Sequence, residues 1–355
     1  VSIITTGFAE KIKELKKGRS LVIEENHTVI LGWSPKAITI INELMIANMN
    51  QRSSCIVILS EENVDVMKDA IQNKIGSTGK TKVIFRHGNP RDPADIQVAN
   101  INAAKSIIVL SPESGESDAY VVKTLLAIVN HPQRKKGKYN IIAEISDQSN
   151  REITEIAGKD EVTVVVSNDI IAKITVQTTR QTGLSILYND IIDFGNVEIY
   201  ILPVKGAEGY TYKDLVLGLR KEYVIGIRKA NGKLMLNPAG GTIFEKDDNV
   251  IVIAEDDTDI IFNPSNIKNN ISLPAKQERI SMDLKQVQRT LILGWNLKTP
   301  LFIKELENYV LPGSEVLVVC HLEYARKKIE EIKGEIKNQT ISFHEGFIND
   351  RKVLL

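Results

Sequence analysis

The chain has 355 residues, and its 45 Lys and Arg are matched by 45 Asp and Glu, a balance that argues against a nucleic-acid-binding surface. Two cysteines, Cys55 and Cys320, fall in apolar strand-like runs and read as small core residues of a reducing compartment, not as a disulfide or metal pair. No apolar run reaches the roughly 18 residues a membrane-spanning helix needs, and Val1–Thr6 lacks the basic region of a cleavable leader. The length suffices for two or three cores, and both ends are abrupt enough to read as a fragment.

From the start of the chain, Glu10 to Lys17 reads as a short charged helix stopped by Gly18. Residues 27–167 then alternate strand and helix. Strands are expected near 28–32, 55–59, 82–85, 105–110, 140–145 and 162–166, and helices near 36–50, 61–75, 92–100, 117–130 and 149–157. The strands are near-continuous Val and Ile runs, which suits a parallel sheet covered on both faces. Six strands and five crossover helices make a Rossmann-like α/β sheet.

Residues 168–195 break that alternation. Asn168 reads as the cap of a helix carrying Ile170, Ile171, Ile174 and Val176, and Arg180-Gln181-Thr182-Gly183-Leu184 turns into a second helix. The apolar face of this helix-turn-helix is expected to pack on a partner subunit or the next lobe, or else to cap its own sheet. Residues 196–262 read as a small α+β lobe. Its strands run over Val197–Leu202, Val224–Arg228, Lys233–Leu236 and Val250–Ala254, with one helix near 211–219 and a two-residue hairpin turn at Asn231-Gly232. Residues 263–288, polar and carrying Pro264 and Pro274, read as a linker.

Residues 289–355 begin the first sheet again. Thr28 to Leu44 and Thr290 to Leu306 agree at 9 of 17 positions, including Leu31-Gly32-Trp33 against Leu293-Gly294-Trp295 and Lys36 against Lys298. Each copy is an apolar strand, a glycine turn and an amphipathic helix, so a second, incomplete Rossmann-like lobe is expected. Downstream, Ser54–Leu59 answers Ser314–Val319, and the stretch from His87 to Asp92 sits where His344 to Asp350 recurs.

A dinucleotide loop needs glycine for the tight turn, for approach to a diphosphate and for helix–strand contact. Here the series is Gly32, Ser34, Ala37, with a side chain at the second position; in the later copy it is Gly294, Asn296, Thr299, followed by Pro300. Glu61 follows the second strand, 29 residues after Gly32, and either holds ribose hydroxyls or only suits the first turn of its helix. An NAD(H) or adenine nucleotide site is therefore expected at Gly32, Ser34 and Glu61 with Asn89 nearby, and not at Gly294. Trp33 and Trp295 read as structural plugs. The five histidines lie at no catalytic spacing, and no Walker loop, HExxH or nucleophile elbow occurs, so no enzyme is expected.

The run from Glu25 to Ser34 resembles the start of the cytosolic domain of CASTOR/POLLUX ion channels, which carry RCK (regulator of K⁺ conductance) domains. Gly7-Phe8-Ala9-Glu10-Lys11-Ile12 and the run from Leu15 to Ser20 resemble the segment joining pore helix to that domain; Glu144-Ile145-Ser146-Asp147, Arg180–Leu184, Leu236-Asn237-Pro238 and Ala254-Glu255-Asp256-Asp257 continue the likeness in order. The resemblance implies a tandem RCK gating-ring subunit with a connector at 1–26, a first RCK N-lobe at 27–167 and crossover helices at 168–195. An RCK C-lobe at 196–262, a linker at 263–288 and the start of a second RCK N-lobe at 289–355 would follow. It further implies a tetrameric ring at the cytoplasmic face of a membrane, with dimer contacts through 168–191 and the chain's own pore domain before Val1. Ca²⁺-responsive gating is implied too. Calcium wants several oxygen ligands, and Glu113, Glu116 and Asp118 after the fourth strand with Glu144 and Asp147 at the fifth are the expected set. The run Glu255-Asp256-Asp257 with Asp259 reads as solvated. Competing readings are a regulatory subunit of a Trk/Ktr potassium transporter and a nicotinamide-dependent oxidoreductase.

Overall fold

The structure is a computed structural model, and it describes residues 18–113, 117–195, 197–219, 222–255, 260–268 and 287–354. The expected helix over 10–17 lies outside them. The chain divides into two compact units, Val1–Arg180 with Leu284–Leu355, and Gln181–Asp283.

In the first unit the strands are β1 (Thr28–Leu31), β2 (Ser54–Ser60), β3 (Thr81–His87), β4 (Ser106–Val109), β5 (Ile141–Ile145) and β6 (Val162–Val166). They form one parallel sheet in the order β3-β2-β1-β4-β5-β6. Val29 and Leu31 of β1 point into a core shared with β4 and β5, while Ile30 points into the opposite core, so both faces are sealed and β1 is fully buried. Because side chains alternate along a strand, burial on both faces calls for an apolar run, here Val29, Ile30 and Leu31, while the buried Thr28 hydroxyl is satisfied by the Ser106 hydroxyl at 3.2 Å.

The crossovers are α1 (Pro35–Ala47), α2 (Val64–Lys74), α3 (Pro93–Ile96), α4 (Ser117–Val129) and α5 (Arg151–Gly158). The expected helix over 92–100 is shorter: it gives way to two 3₁₀ turns because Asn100 adopts a left-handed conformation, φ 51°. The next helix, α6 (Ser167–Arg180), starts two residues earlier than expected, so Asn168 lies in its first turn and not at its cap.

After Gly183, φ +87°, comes α7 (Leu184–Ile192), the first helix of the other unit. The strands β7 (Glu198–Leu202), β8 (Tyr223–Arg228), β9 (Leu234–Leu236) and β10 (Asn249–Ala254) form an antiparallel sheet in the order β7-β10-β8-β9. One face is covered by α8 (Tyr212–Gly218), which brings Tyr212 and Leu215 onto Ile227, Val250 and Val252. The turn at Asn231-Gly232 differs from the expected two-residue form. Lys229 N–H donates to the Lys233 carbonyl at 2.9 Å, enclosing three residues, and Gly232 alone is left-handed at φ +85°. A short helix, α9 (Ser265–Lys268), begins within the stretch expected to be linker.

The later copy builds β11 (Arg289–Leu293), α10 (Thr299–Glu307), β12 (Ser314–Cys320), α11 (Glu323–Lys333), β13 (Gln339–Glu345) and α12 (Arg351–Leu354). Its three strands are parallel in the order β11-β12-β13, the same start as the first sheet, and α10 packs on α6. Ala172 and Val176 of α6 are buried, and the Gln177 amide lies 3.5 Å from the Tyr309 hydroxyl. The inner face of this first crossover helix therefore has its partner inside the same unit.

Candidate switch-point pocket and its acidic neighbour

In a doubly wound sheet the crevice lies where strand order reverses, here between β1 and β4. Gly32 ends β1 with φ +102° and donates from its N–H to the Leu59 carbonyl at 2.9 Å. A Cβ at this position would sit 3.0 Å from the Leu110 carbonyl oxygen, so the turn needs glycine for its own packing. Ser34 follows in extended conformation, and Pro35 opens α1. The Ser34 hydroxyl is buried and has no hydrogen-bond partner.

A cavity of about 290 Å³ opens here, lined among others by Gly32, Trp33, Glu61, Leu110, Pro112 and Tyr120. One nitrogen of Arg91 donates to both oxygens of Glu61, at 3.2 and 3.1 Å, and the guanidinium lies 4.9 Å over the Tyr120 ring. The Nε of Arg91 donates to Asn89 Oδ1 at 3.0 Å, as does its backbone N–H. Burial, with the Glu61 charge adding to it, pushes the Tyr120 phenol up to about 12. Of the four residues expected around a nucleotide, Gly32 and Glu61 line the cavity, Asn89 holds Arg91 in place, and Ser34 is buried just beyond the turn. Sequence reasoning missed Arg91 and Tyr120. Arg91 stands in the His87–Asp92 stretch noticed for its recurrence, but nothing local shows that it reaches Glu61.

The expected calcium ligands are taken up differently. Asp118, buried in the first turn of α4, accepts from the N–H groups of Ser146 and Asp147 and from the Asn150 amide, at 2.9, 3.0 and 2.9 Å. Glu144 accepts from Lys36 Nζ at 2.7 Å and from the Ser111 N–H at 3.2 Å. Asp147 caps a 3₁₀ turn through the Ser149 N–H at 2.9 Å, and Glu113 is exposed. Glu116 and the run Asp256–Asp259 lie outside the described residues. Among the described residues no three Asp, Glu, His or Cys side chains gather as a metal site.

At the later turn, Gly294 has φ +93° and donates to the Val319 carbonyl at 2.8 Å, repeating the backbone of Gly32. The Asn296 N–H donates to the Thr299 hydroxyl at 3.0 Å, and its side-chain oxygen accepts from Lys298 N–H at 2.8 Å. Those polar groups close the turn on itself.

Residues 24–134 match a family described as the calcium-activated potassium channel slowpoke-like RCK domain, and residues 168–270 match one described as Castor and Pollux, part of voltage-gated ion channel. A probable ion channel CASTOR of Oryza sativa subsp. japonica is 31% identical over 361 residues, covering 98% of this chain and 39% of that protein. The ion channel CASTOR of Lotus japonicus is 32% identical over 320 residues, covering 89% of this chain and 37% of that protein. The chain thus spans under two fifths of the length of these relatives. Among solved structures, the human SLO3 gating ring superposes with a TM-score of 0.60 at 14% identity, over 92% of this chain and 65% of that one, which establishes likeness of fold.

Proposed function

Because this chain belongs to the CASTOR and POLLUX family of ion channels, over their slowpoke-like RCK region, we propose that it is the ligand-sensing part of a gating ring beneath a cation pore. Its named relatives are ion channels and not enzymes, which sets aside the oxidoreductase reading. No described helix is long and apolar enough to cross a membrane, so the pore would be built elsewhere.

The observation that carries this reading is the cavity at Gly32 and Glu61, on the switch point of a doubly wound sheet. We take its ligand to be a nucleotide, with Glu61 and Arg91 as the groups that respond. Transmission would run through residues 18–26, which are fastened to the first sheet. Val22 is buried in its core, Arg86 Nε donates to the Ser20 carbonyl at 2.6 Å, the Gly18 carbonyl accepts from His87 N–H at 3.1 Å, and Glu24 pairs with Lys82. A connector held this way moves with the sheet. Four chains around one pore at the cytoplasmic face of a membrane, paired through α7 and the outer face of α6, complete the proposal.

The test is thermal unfolding of the chain with adenine nucleotides. Ligand that binds only the folded state raises the midpoint by mass action, and Glu61→Ala should remove the rise. No rise with any nucleotide would remove the carrying observation.

Calcium is a second reading, favoured by the match of residues 24–134 to the slowpoke-like RCK domain of calcium-activated potassium channels. With Asp118 and Glu144 engaged by other donors, such an ion would depend on Glu113, Asp147 and Glu116. Calcium-dependent stabilisation that survives Asp147→Asn would count against those residues.

A further inference from the structure

One ion pair links the start of α1 to β5 across the carboxyl end of β4. Lys36 belongs to the first turn of α1, after β1, whereas Glu144 is on β5, and β4 lies between these two strands in the sheet. The Lys36 Nζ nevertheless reaches Glu144 Oε1 at 2.7 Å. The second carboxylate oxygen accepts at 3.2 Å from the N–H of Ser111, two residues beyond β4. The Glu144 side chain is only 12% exposed. A bar therefore crosses the carboxyl end of β4 and takes up a backbone amide there.

A dinucleotide on such a sheet sets one nucleoside on each side of the switch point, with its diphosphate at the start of the first helix. Here the β4–β5 side is barred. The cavity at the glycine turn, between Gly32, Trp33 and Glu61 on one side and Leu110, Pro112 and Tyr120 on the other, has about 290 Å³, near the lower end of small-molecule pockets, which begin at roughly 300 Å³. The helix start agrees with this. Ser34 stands where a second glycine would let a diphosphate touch the backbone, so a side chain takes up the place of that approach.

We propose that the Lys36–Glu144 bar makes this a mononucleotide site and excludes dinucleotides. The inference rests on the nucleotide reading given above and goes beyond it by naming the ligand class and the residues that select it.

AMP and NAD are the probes, because NAD contains the whole of AMP. The chain would be titrated calorimetrically with each, as wild type, as Lys36→Ala and as Glu144→Ser. Wild type is expected to bind AMP at least about tenfold more tightly than NAD. Either substitution should narrow that ratio by about tenfold, chiefly by tightening NAD. The Lys36 side chain is 45% exposed, so its variant reports even if Glu144→Ser folds poorly. Equal affinity of wild type for AMP and NAD, or a ratio unmoved by both substitutions, overturns the bar while leaving nucleotide binding intact. Absence of AMP binding in a folded wild type overturns the nucleotide reading and the bar with it.

Discussion

Arg180, the last residue of α6, lies 4.8 Å over the ring of Tyr309 and donates from a terminal nitrogen to the Tyr309 backbone carbonyl at 3.1 Å. The two residues are 129 positions apart, one closing the helix after the first sheet and the other following the first helix of the repeat. A cation over a ring contributes about 0.5–2 kcal/mol and a charged hydrogen bond about 1.5–3 kcal/mol. Arg180→Ala should therefore loosen the later sheet more than the first. The two tryptophans, Trp33 and Trp295, report one copy each, so denaturant unfolding of Trp33→Phe and Trp295→Phe backgrounds separates them. Equal destabilisation at both reporters would contradict this assignment.

The same glycine in two copies should differ in its tolerance of a methyl group. Both Gly32 and Gly294 have left-handed φ, which costs an L-residue about 1–2 kcal/mol. At Gly294 the nearest atom to an added Cβ is Ile348 Cδ1 at 4.0 Å, whereas at Gly32 it is a backbone oxygen at 3.0 Å. Gly294→Ala should lose only the conformational part, and Gly32→Ala should lose clearly more by chemical denaturation. Matching losses would show that the close approach to Leu110 does not matter.

Acid should weaken the small lobe through the start of α8. The hydroxyl and N–H of Thr211 both donate to Asp214 Oδ2, at 2.6 and 2.9 Å, and hold that carboxyl below the ordinary aspartate range. Protonation is thus harder in the folded state than in the unfolded one. The contribution is present above about pH 4, the unfolded value, and is lost as pH falls through the lower folded value. Asp214→Asn should flatten this dependence, and Thr211→Ala should cost about 1 kcal/mol as a lost cap. The measurement is unfolding midpoint against pH; an unchanged slope in Asp214→Asn would place the acid sensitivity elsewhere.

Association should depend on α7. Ile186, Leu187 and Ile192 are 66%, 50% and 63% exposed, an apolar face of the kind that marks an interface. Wild type is expected to form dimers or larger species in light scattering at high protein concentration, and Ile186→Glu to shift it toward monomer. A wild type that stays monomeric would remove α7 from the proposed ring contacts.

Much of this protein was legible along the chain. The Val and Ile runs of β1, β2 and β4, the recurrence of Leu31-Gly32-Trp33 at Leu293-Gly294-Trp295, and the helix near 211–219 all depend on neighbours within a few residues, where backbone geometry dictates the pattern. The family likeness of the chain was legible as well. What a side chain does with its charge was not. Glu144 and Asp118 read as paired loop acids awaiting a cation, yet Lys36, 108 positions away, occupies one, and backbone N–H groups 28 and 29 positions away occupy the other. Glu61 is met by Arg91, 30 positions away, and α6 packs on α10, where its apolar face was expected to meet a partner subunit, the next lobe or its own sheet. In each case the partner is set by strand order and by how helices pack over the sheet. Hydrophobic periodicity decides which elements form, whereas only the assembled sheet decides which polar groups end up within 3 Å of one another.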